Sequence, residues 1–342
     1  MAANLYVHFP FCRSRCSYCS LYSRVGASPA DRVAYVTRIA DAITQTFKSP
    51  ETQTLSTLYF GGGSPALCDL TPLKGALAPL LDEKTEFTVE LHPLDVTPAK
   101  LDELKSIGVN RISMGVQSLD DDILRAMGRG YTASDAARAF ALVKSRFDNA
   151  GIDLIIGYPG ERGTGNGERR TGLSSLKSWG LTHCSAYSLQ NERGLKDVPD
   201  DDIVLDRIRS VAAFLKTLGL ERYEISNYAL PGFECRHNFA VWRGEDYIGL
   251  GEGACGRESL KRTRGTKGGY ETSEVSPAED IKERTLFRLR TRDGIDSSRF
   301  PEWRPTLDRF VAEGLLVKVS EFVYRLTERG TEVCDAILEE LV

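Results

Sequence analysis

No stretch of the 342-residue chain approaches the run of about 20 apolar residues that crosses a bilayer. The N-terminal Met-Ala-Ala-Asn-Leu-Tyr-Val-His lacks the basic and apolar regions of a secretory signal, so a cytoplasmic location is expected. Charge of one sign is scarce as well: 44 basic against 48 acidic side chains leave a formal net charge of −4. That balance offers no basic surplus for nucleic acid or an anionic membrane surface. A second C-x2-C knuckle is missing, which weakens any zinc reading of the cysteines. What remains is an ordinary globular composition, 41% hydrophobic and 27% charged.

Eight cysteines are present, and in a long cytoplasmic chain they point to metal or redox use rather than to a disulfide framework. Cys12, Cys16 and Cys19 form C-x3-C-x2-C. Three thiolates serve three irons of a cubane cluster and leave a fourth iron open to a small molecule, whereas four cysteines make an electron carrier. Zinc on the same cysteines, with His8 as the fourth ligand, is the alternative. The other five cysteines read as small buried hydrophobes.

Strand-like and helix-like segments alternate from residue 4 to about 190. Strands are expected at 5–9, 57–60, 87–91, 111–116, 152–156 and 184–189, and helices at 31–47, 71–81, 98–107, 133–147 and 171–179. Such a pattern makes an α/β fold, a partial TIM-like barrel of about six βα units. Chemistry in these folds collects at the C-terminal ends of the strands. The cysteines, Gly61-Gly62-Gly63-Ser64, Glu90 and Gln117 all fall there, while Asp153 fits less cleanly.

Three units are expected: a core over 1–230, an irregular region and linker over 231–269, and a winged-helix-like module over 270–342. The run Arg262-Thr-Arg-Gly-Thr-Lys-Gly-Gly reads as an exposed loop. The last unit has 16 acidic against 11 basic side chains from residue 271 onward, which favours packing or partner contact over DNA binding.

Each candidate site residue has a plain structural alternative. Tyr6 and Tyr18 flank the cysteine loop and either pack or shield a cluster. Glycines 61–63 either make a turn or clear backbone for a ligand, with carbonyls and amides able to grip an ammonium. Glu90 and Gln117 are solvated strand ends or acceptors for ribose and ammonium. Arg129 is a surface arginine or a bidentate carboxylate clamp. Asp153 opens an apolar run, where a carboxylate needs a partner such as ribose hydroxyls.

Together, residues 6–19, Gly61 to Pro65, Gly115-Val-Gln-Ser-Leu-Asp-Asp, Asp153-Leu-Ile-Ile-Gly-Tyr-Pro-Gly and Tyr223-Glu-Ile-Ser-Asn-Tyr-Ala resemble the radical S-adenosylmethionine (SAM) superfamily. More narrowly, they resemble its anaerobic coproporphyrinogen III oxidase family. The resemblance implies a radical SAM barrel with a [4Fe-4S] cluster on Cys12, Cys16 and Cys19. It places Tyr6, Tyr18, Gly62, Gly63, Ser64, Glu90, Gln117, Arg129 and Asp153 around S-adenosylmethionine.

Two branches of that family differ in function. The oxidases carry a fourth cysteine two residues after the third, where this chain has Leu21. That departure and the short N-terminal segment indicate the HemW-like haem-chaperone branch, which binds haem and passes it to an acceptor protein. A radical enzyme of the oxidase type, acting on a tetrapyrrole or another substrate, is the alternative. An electron donor of flavodoxin or ferredoxin type is implied, nucleic acid is not, and membrane contact arises only through an acceptor. The resemblance also offers His237 as haem ligand, in His237-Asn-Phe-Ala-Val-Trp, with Cys235 as a second possibility and a structural histidine as the alternative. Val241, Tyr131, Ser64, Leu195 and the stretch 161–167 depart from the family pattern.

Overall fold

A computed structural model describes residues 3–48, 54–161 and 172–342. Six parallel strands lie where the apolar runs place them: β1 (Ala3–Phe9), β2 (Leu55–Gly62), β3 (Glu86–Leu91), β4 (Arg111–Gln117), β5 (Asn149–Ile156) and β6 (His183–Ser188). Two short strands, β7 (Glu221–Arg222) and β8 (Asn227–Ala229), continue the sheet antiparallel beyond β6. At the other edge β9 (Ile248–Leu250) adds parallel to β1. The order of this nine-stranded sheet is β9-β1-β2-β3-β4-β5-β6-β8-β7, so its edges β9 and β7 do not pair and the barrel stays open.

Alternation along the strands separates two environments. Leu5, Val7 and Phe9, then Leu58 and Phe60, Phe87 and Val89, and Ile112, Met114 and Val116 face outward into one apolar core. Tyr6, His8, Tyr59, Glu90, Arg111 and Asp153 occupy the intervening inward positions. Helix α1 (Pro29–Thr46) begins at a capping box between Ser28 and Asp31, with Pro29 preset at the first turn, and buries Tyr35, Val36, Ile39 and Ile43. Around the same core run α2 (Pro98–Ser106), α3 (Asp121–Ala126), α4 (Ala133–Lys144) and α5 (Asp201–Thr217).

Three expected elements differ. The helix over 71–81 is broken into Thr71–Leu73, Lys74–Leu77 and Ala78–Leu80, since Pro72 and Pro79 have no N–H to give. The helix over 171–179 is a short 3₁₀ segment, Leu173–Ser178, and residue 171 lies outside the described residues, as does the divergent stretch 161–167 apart from Glu161. The supposed loop from Arg262 is strand β11 (Lys261–Thr266), sandwiched between β10 (Cys255–Glu258) and β12 (Gly269–Glu274). Ion pairs hold it: Arg262 reaches Asp280 and Glu283 at 2.6 Å each, and Arg257 reaches Glu283 at 2.6 Å.

Helix α6 (Arg236–Trp242) lies at the N-terminal ends of the strands, against β2. After the small sheet come α7 (Pro277–Arg288), α8 (Arg304–Ala312) and an antiparallel sheet of β13 (Ile295–Asp296), β14 (Leu316–Lys318) and β15 (Val323–Leu326) in the order β13-β15-β14. These have their own core of Leu289, Ile295, Trp303, Leu307, Phe310, Tyr324 and Ile337.

Candidate functional site

The cysteine loop leaves the C-terminal end of β1 and is pinned at several points. Ser17 N–H donates to the Met127 carbonyl at 3.2 Å, and its hydroxyl lies 2.8 Å from that of Tyr158. Arg193 donates to the Cys19 carbonyl at 3.3 Å. Arg13 reaches Asp95 with Nε at 2.6 Å. From the far end of the chain, Glu252 accepts from the Tyr22 hydroxyl at 3.0 Å. Arg13 and Arg24 of the loop are met by Asp95 and, at 3.5 Å, by Glu252, so their charges are offset by acids from distant parts of the chain.

Burial pushes the Cys12 thiol up to about 11 and raises that of Cys19, so metal loading must expel protons from both. Among the described residues, no three His, Cys, Asp or Glu side chains converge on one metal ion. His8 is not spare either. Its Nε2 faces the Tyr22 carbonyl at 2.9 Å and must donate, leaving Nδ1 to accept from the Tyr6 hydroxyl at 3.0 Å.

The glycine loop is built against this one. Gly62 has φ +103°, and a Cβ there would lie 2.5 Å from the His8 ring. A Cβ on Gly63 would sit 2.4 Å from the Phe11 carbonyl oxygen and 2.9 Å from Cys12 Sγ, so that position must be bare. The N–H groups of this loop are donors, as an ammonium is, so they cannot grip one, and they are spent within the fold: Gly62 N–H donates to Glu90 at 3.0 Å, Gly63 N–H to the Phe9 carbonyl and Ser64 N–H to the Phe11 carbonyl, both at 2.7 Å. Only carbonyls of this loop remain for a ligand. The Ser64 hydroxyl is likewise held, by Asp95 at 2.5 Å.

Inside the barrel, Glu90 accepts from the Tyr59 hydroxyl at 2.8 Å, and burial with the nearby Asp153 charge pushes its carboxyl up to about 7. Asp153 accepts from Ser113 at 3.0 Å, and burial raises its carboxyl too. Neither carboxylate forms an ion pair among the described residues. Two buried acids that share only the through-space charge of the buried Arg111 and have no ion pair of their own fit a ligand bearing a sulfonium, an ammonium and ribose hydroxyls. Gln117 closes β4 with φ +69°. Arg129 spends three of its five N–H groups, on Cys16 Sγ at 3.3 Å, the Gly115 carbonyl at 2.9 Å and the Tyr131 hydroxyl at 2.9 Å. One N–H on each terminal nitrogen is left for a carboxylate. Tyr18 packs beside Ile123, Met127 and Tyr158.

The haem-linked stretch does not converge. His237 points into the barrel from α6, at the end opposite the cysteines, and is 4% exposed. Its ring stacks with Tyr6 at 6.2 Å and lies 5.2 Å from that of Tyr59, with the Tyr247 edge at 6.3 Å. Trp242 faces the other way, edge-on to Phe287 of α7 at 5.9 Å. Cys235, the second haem-ligand candidate, is a buried thiol pushed up to about 12 and donates to Glu86 at 3.7 Å.

Sequence reasoning missed Asp95 and Glu252. Asp95 offers a usable signal, an acid just beyond the third strand, whereas Glu252 has none, as it lies 230 residues from Tyr22.

Comparison with known proteins agrees with this geometry. The radical SAM superfamily pattern matches residues 6–163. The chain is 30% identical to the haem chaperone HemW of Bacillus subtilis, covering 99% of this chain and all of that protein. It is 31% identical to the mouse mitochondrial radical S-adenosyl methionine domain-containing protein 1, over 85% of this chain and 68% of the relative. In fold it superposes on the Escherichia coli coproporphyrinogen III oxidase HemN with a TM-score of 0.82, at 19% identity, over 99% of this chain and 90% of the other. With its three-cysteine loop at the mouth of an open barrel, this chain belongs to the HemN/HemW-like family of the radical SAM superfamily.

Proposed function

We propose that the protein is a HemW-like haem chaperone of the cytoplasm, holding a [4Fe-4S] cluster and S-adenosylmethionine and delivering haem to an acceptor protein. The observation that carries this reading over the oxidase one is Leu21. It stands where the oxidases have their fourth cysteine, and it is 53% exposed on the loop. No described helix is long and apolar enough to cross a membrane.

Cys12, Cys16 and Cys19 would ligate the cluster, and the bare Gly63 leaves room beside Cys12. When bound, the cluster supplies one electron to the sulfonium carbon–sulfur bond of adenosylmethionine. Glu90 and Asp153 offset the cofactor's positive charge and accept its ribose hydroxyls. Carbonyls of the glycine loop accept from its ammonium. Tyr6, Tyr18 and Gln117 border this volume, and Arg129 keeps a positive charge against Cys16.

For haem iron, the donor the chain offers is the His237 imidazole. Burial depresses it to about 3, so it is neutral at physiological pH, the state a metal needs. The ring is buried against those of Tyr6, Tyr59 and Tyr247, so a macrocycle needs a rearrangement there to reach it.

The test is a haem titration of anaerobically reconstituted full-length protein, with 5′-deoxyadenosine and decarboxylated tetrapyrrole measured alongside. Stoichiometric haem binding with a shifted Soret band, and no product from coproporphyrinogen III, is expected. Absence of haem binding rejects the chaperone reading, and decarboxylation establishes the oxidase one.

A further inference from the structure

We infer that Thr57 and Asn4 are positioning residues that lock His237 into one tautomer, with the proton on Nδ1 and a bare lone pair on Nε2. The inference rests on the reading of His237 as haem ligand for its use, though not for its geometry.

Three linked hydrogen bonds, one part-buried and two buried, run from Asp246 to His237. Asn4 Nδ2 lies 3.0 Å from the Asp246 carbonyl, which can only accept, so the amide orientation is fixed and Oδ1 faces Thr57. The Thr57 hydroxyl donates its one hydrogen to that Oδ1 at 2.9 Å. Thr57 Oγ1 is also 2.8 Å from His237 Nδ1. With its hydrogen spent, the hydroxyl can only accept there, and Nδ1 must carry a proton. Asn4, Thr57 and His237 are all buried.

Nε2 has no hydrogen-bond partner among the described residues. In a neutral imidazole one nitrogen carries the proton and the other the lone pair, so the lone pair belongs to Nε2. Both ends of the residue are anchored, since its backbone N–H donates to Glu86 at 3.1 Å while the ring is stacked on Tyr6. A ligating imidazole characteristically donates its other N–H to a fixed acceptor, which sets ring orientation and basicity. Thr57 supplies that acceptor before any metal arrives. An electrophile meeting His237, haem iron included, meets Nε2.

Two measurements test this separately from the haem reading. In protein labelled with ¹⁵N-histidine, four rings are to be resolved, and the one missing in His237→Ala is His237. A protonated Nδ1 and an unprotonated Nε2 are expected between about pH 5 and 8. The opposite tautomer, or a ring protonated on both nitrogens, overturns the inference. In haem titrations of the reconstituted full chain, Thr57→Val is expected to weaken affinity about 10–100-fold and to shift the ferrous iron–imidazole stretching band, with Thr57→Ser restoring both. Should His237→Ala weaken haem binding while Thr57→Val behaves as wild type in affinity and band position, the positioning role falls. Should His237→Ala leave haem binding unchanged, the reading of His237 as ligand falls, and the tautomer is judged by the ¹⁵N experiment alone.

Discussion

Arg13 lays two guanidinium N–H groups on a single oxygen of Asp95, Nε at 2.6 Å and Nη2 at 2.5 Å. The other oxygen of Asp95 takes the Ser64 hydroxyl. One buried carboxylate thus joins the residue after Cys12 to the glycine loop. Replacing Asp95 by Asn keeps the shape and removes the charge. A loss of about 1–3 kcal/mol in stability is expected, moderated because Arg13 is half exposed. Iron and sulfide retained per chain after reconstitution should fall with it; full retention would show that the clasp is dispensable.

Gly63→Ala should block cluster assembly more than folding. Its Cβ would meet a backbone oxygen, which cannot rotate away, and Cys12 Sγ. Far-ultraviolet circular dichroism close to wild type with most of the 4Fe absorbance gone is the expected pair of results. Normal cluster loading would mean that the two loops separate more easily than their 2.7 Å backbone bonds suggest.

Glu90 predicts a pH dependence of definite sign. Its carboxyl is raised from 4.5 to about 7, so the folded state binds this proton more tightly than the unfolded chain. The stabilisation is complete below 4.5, declines as pH rises, and is gone above about 7. Denaturation of ligand-free protein at pH 5 and pH 8 should show Glu90→Gln gaining on the wild type by about 2–3 kcal/mol over that interval. Adenosylmethionine, being cationic, favours the ionised carboxylate. Its affinity should therefore rise with pH through about 7 in the wild type and not in the variant. A parallel pH profile in the two proteins would remove Glu90 from the cofactor's surroundings.

Cys235→Ala should leave the haem spectrum unchanged, because the thiol is buried and protonated and points at Glu86. A loss of about 1 kcal/mol in stability is its expected cost. An altered Soret band would reinstate Cys235 as a ligand.

The six core strands were readable because strands buried on both faces appear as short apolar runs bounded by turn residues. Their inward polar residues, Glu90 and Asp153 above all, stood out against that background. Misreadings arose where charge or chain breaks replace apolar periodicity. Pro72 and Pro79 fragment what looked like a helix, and Arg262, in a stretch resembling a linker, is a strand residue held by Asp280 and Glu283. The Ser64–Asp95–Arg13 clasp and the Asn4–Thr57–His237 relay were illegible for another reason. Bonded partners within them lie up to 180 residues apart, and no local pattern encodes such pairings. Family resemblance located His237 but not the direction it faces, which is set by α6 packing beneath the strands.

The contact between Glu252 and Tyr22 has a temporal meaning. The loop that follows β1 is closed by a segment made some 230 residues later, where Gly253 packs on Tyr22 and the Glu252 N–H donates to the Tyr35 hydroxyl, itself bonded to the His8 carbonyl. While the ribosome is still making the first two hundred residues, the three thiols are present but their frame is not. The frame around the three thiols is therefore complete only once Glu252 has been made, and a nascent chain stalled before it should emerge with its cysteines unguarded.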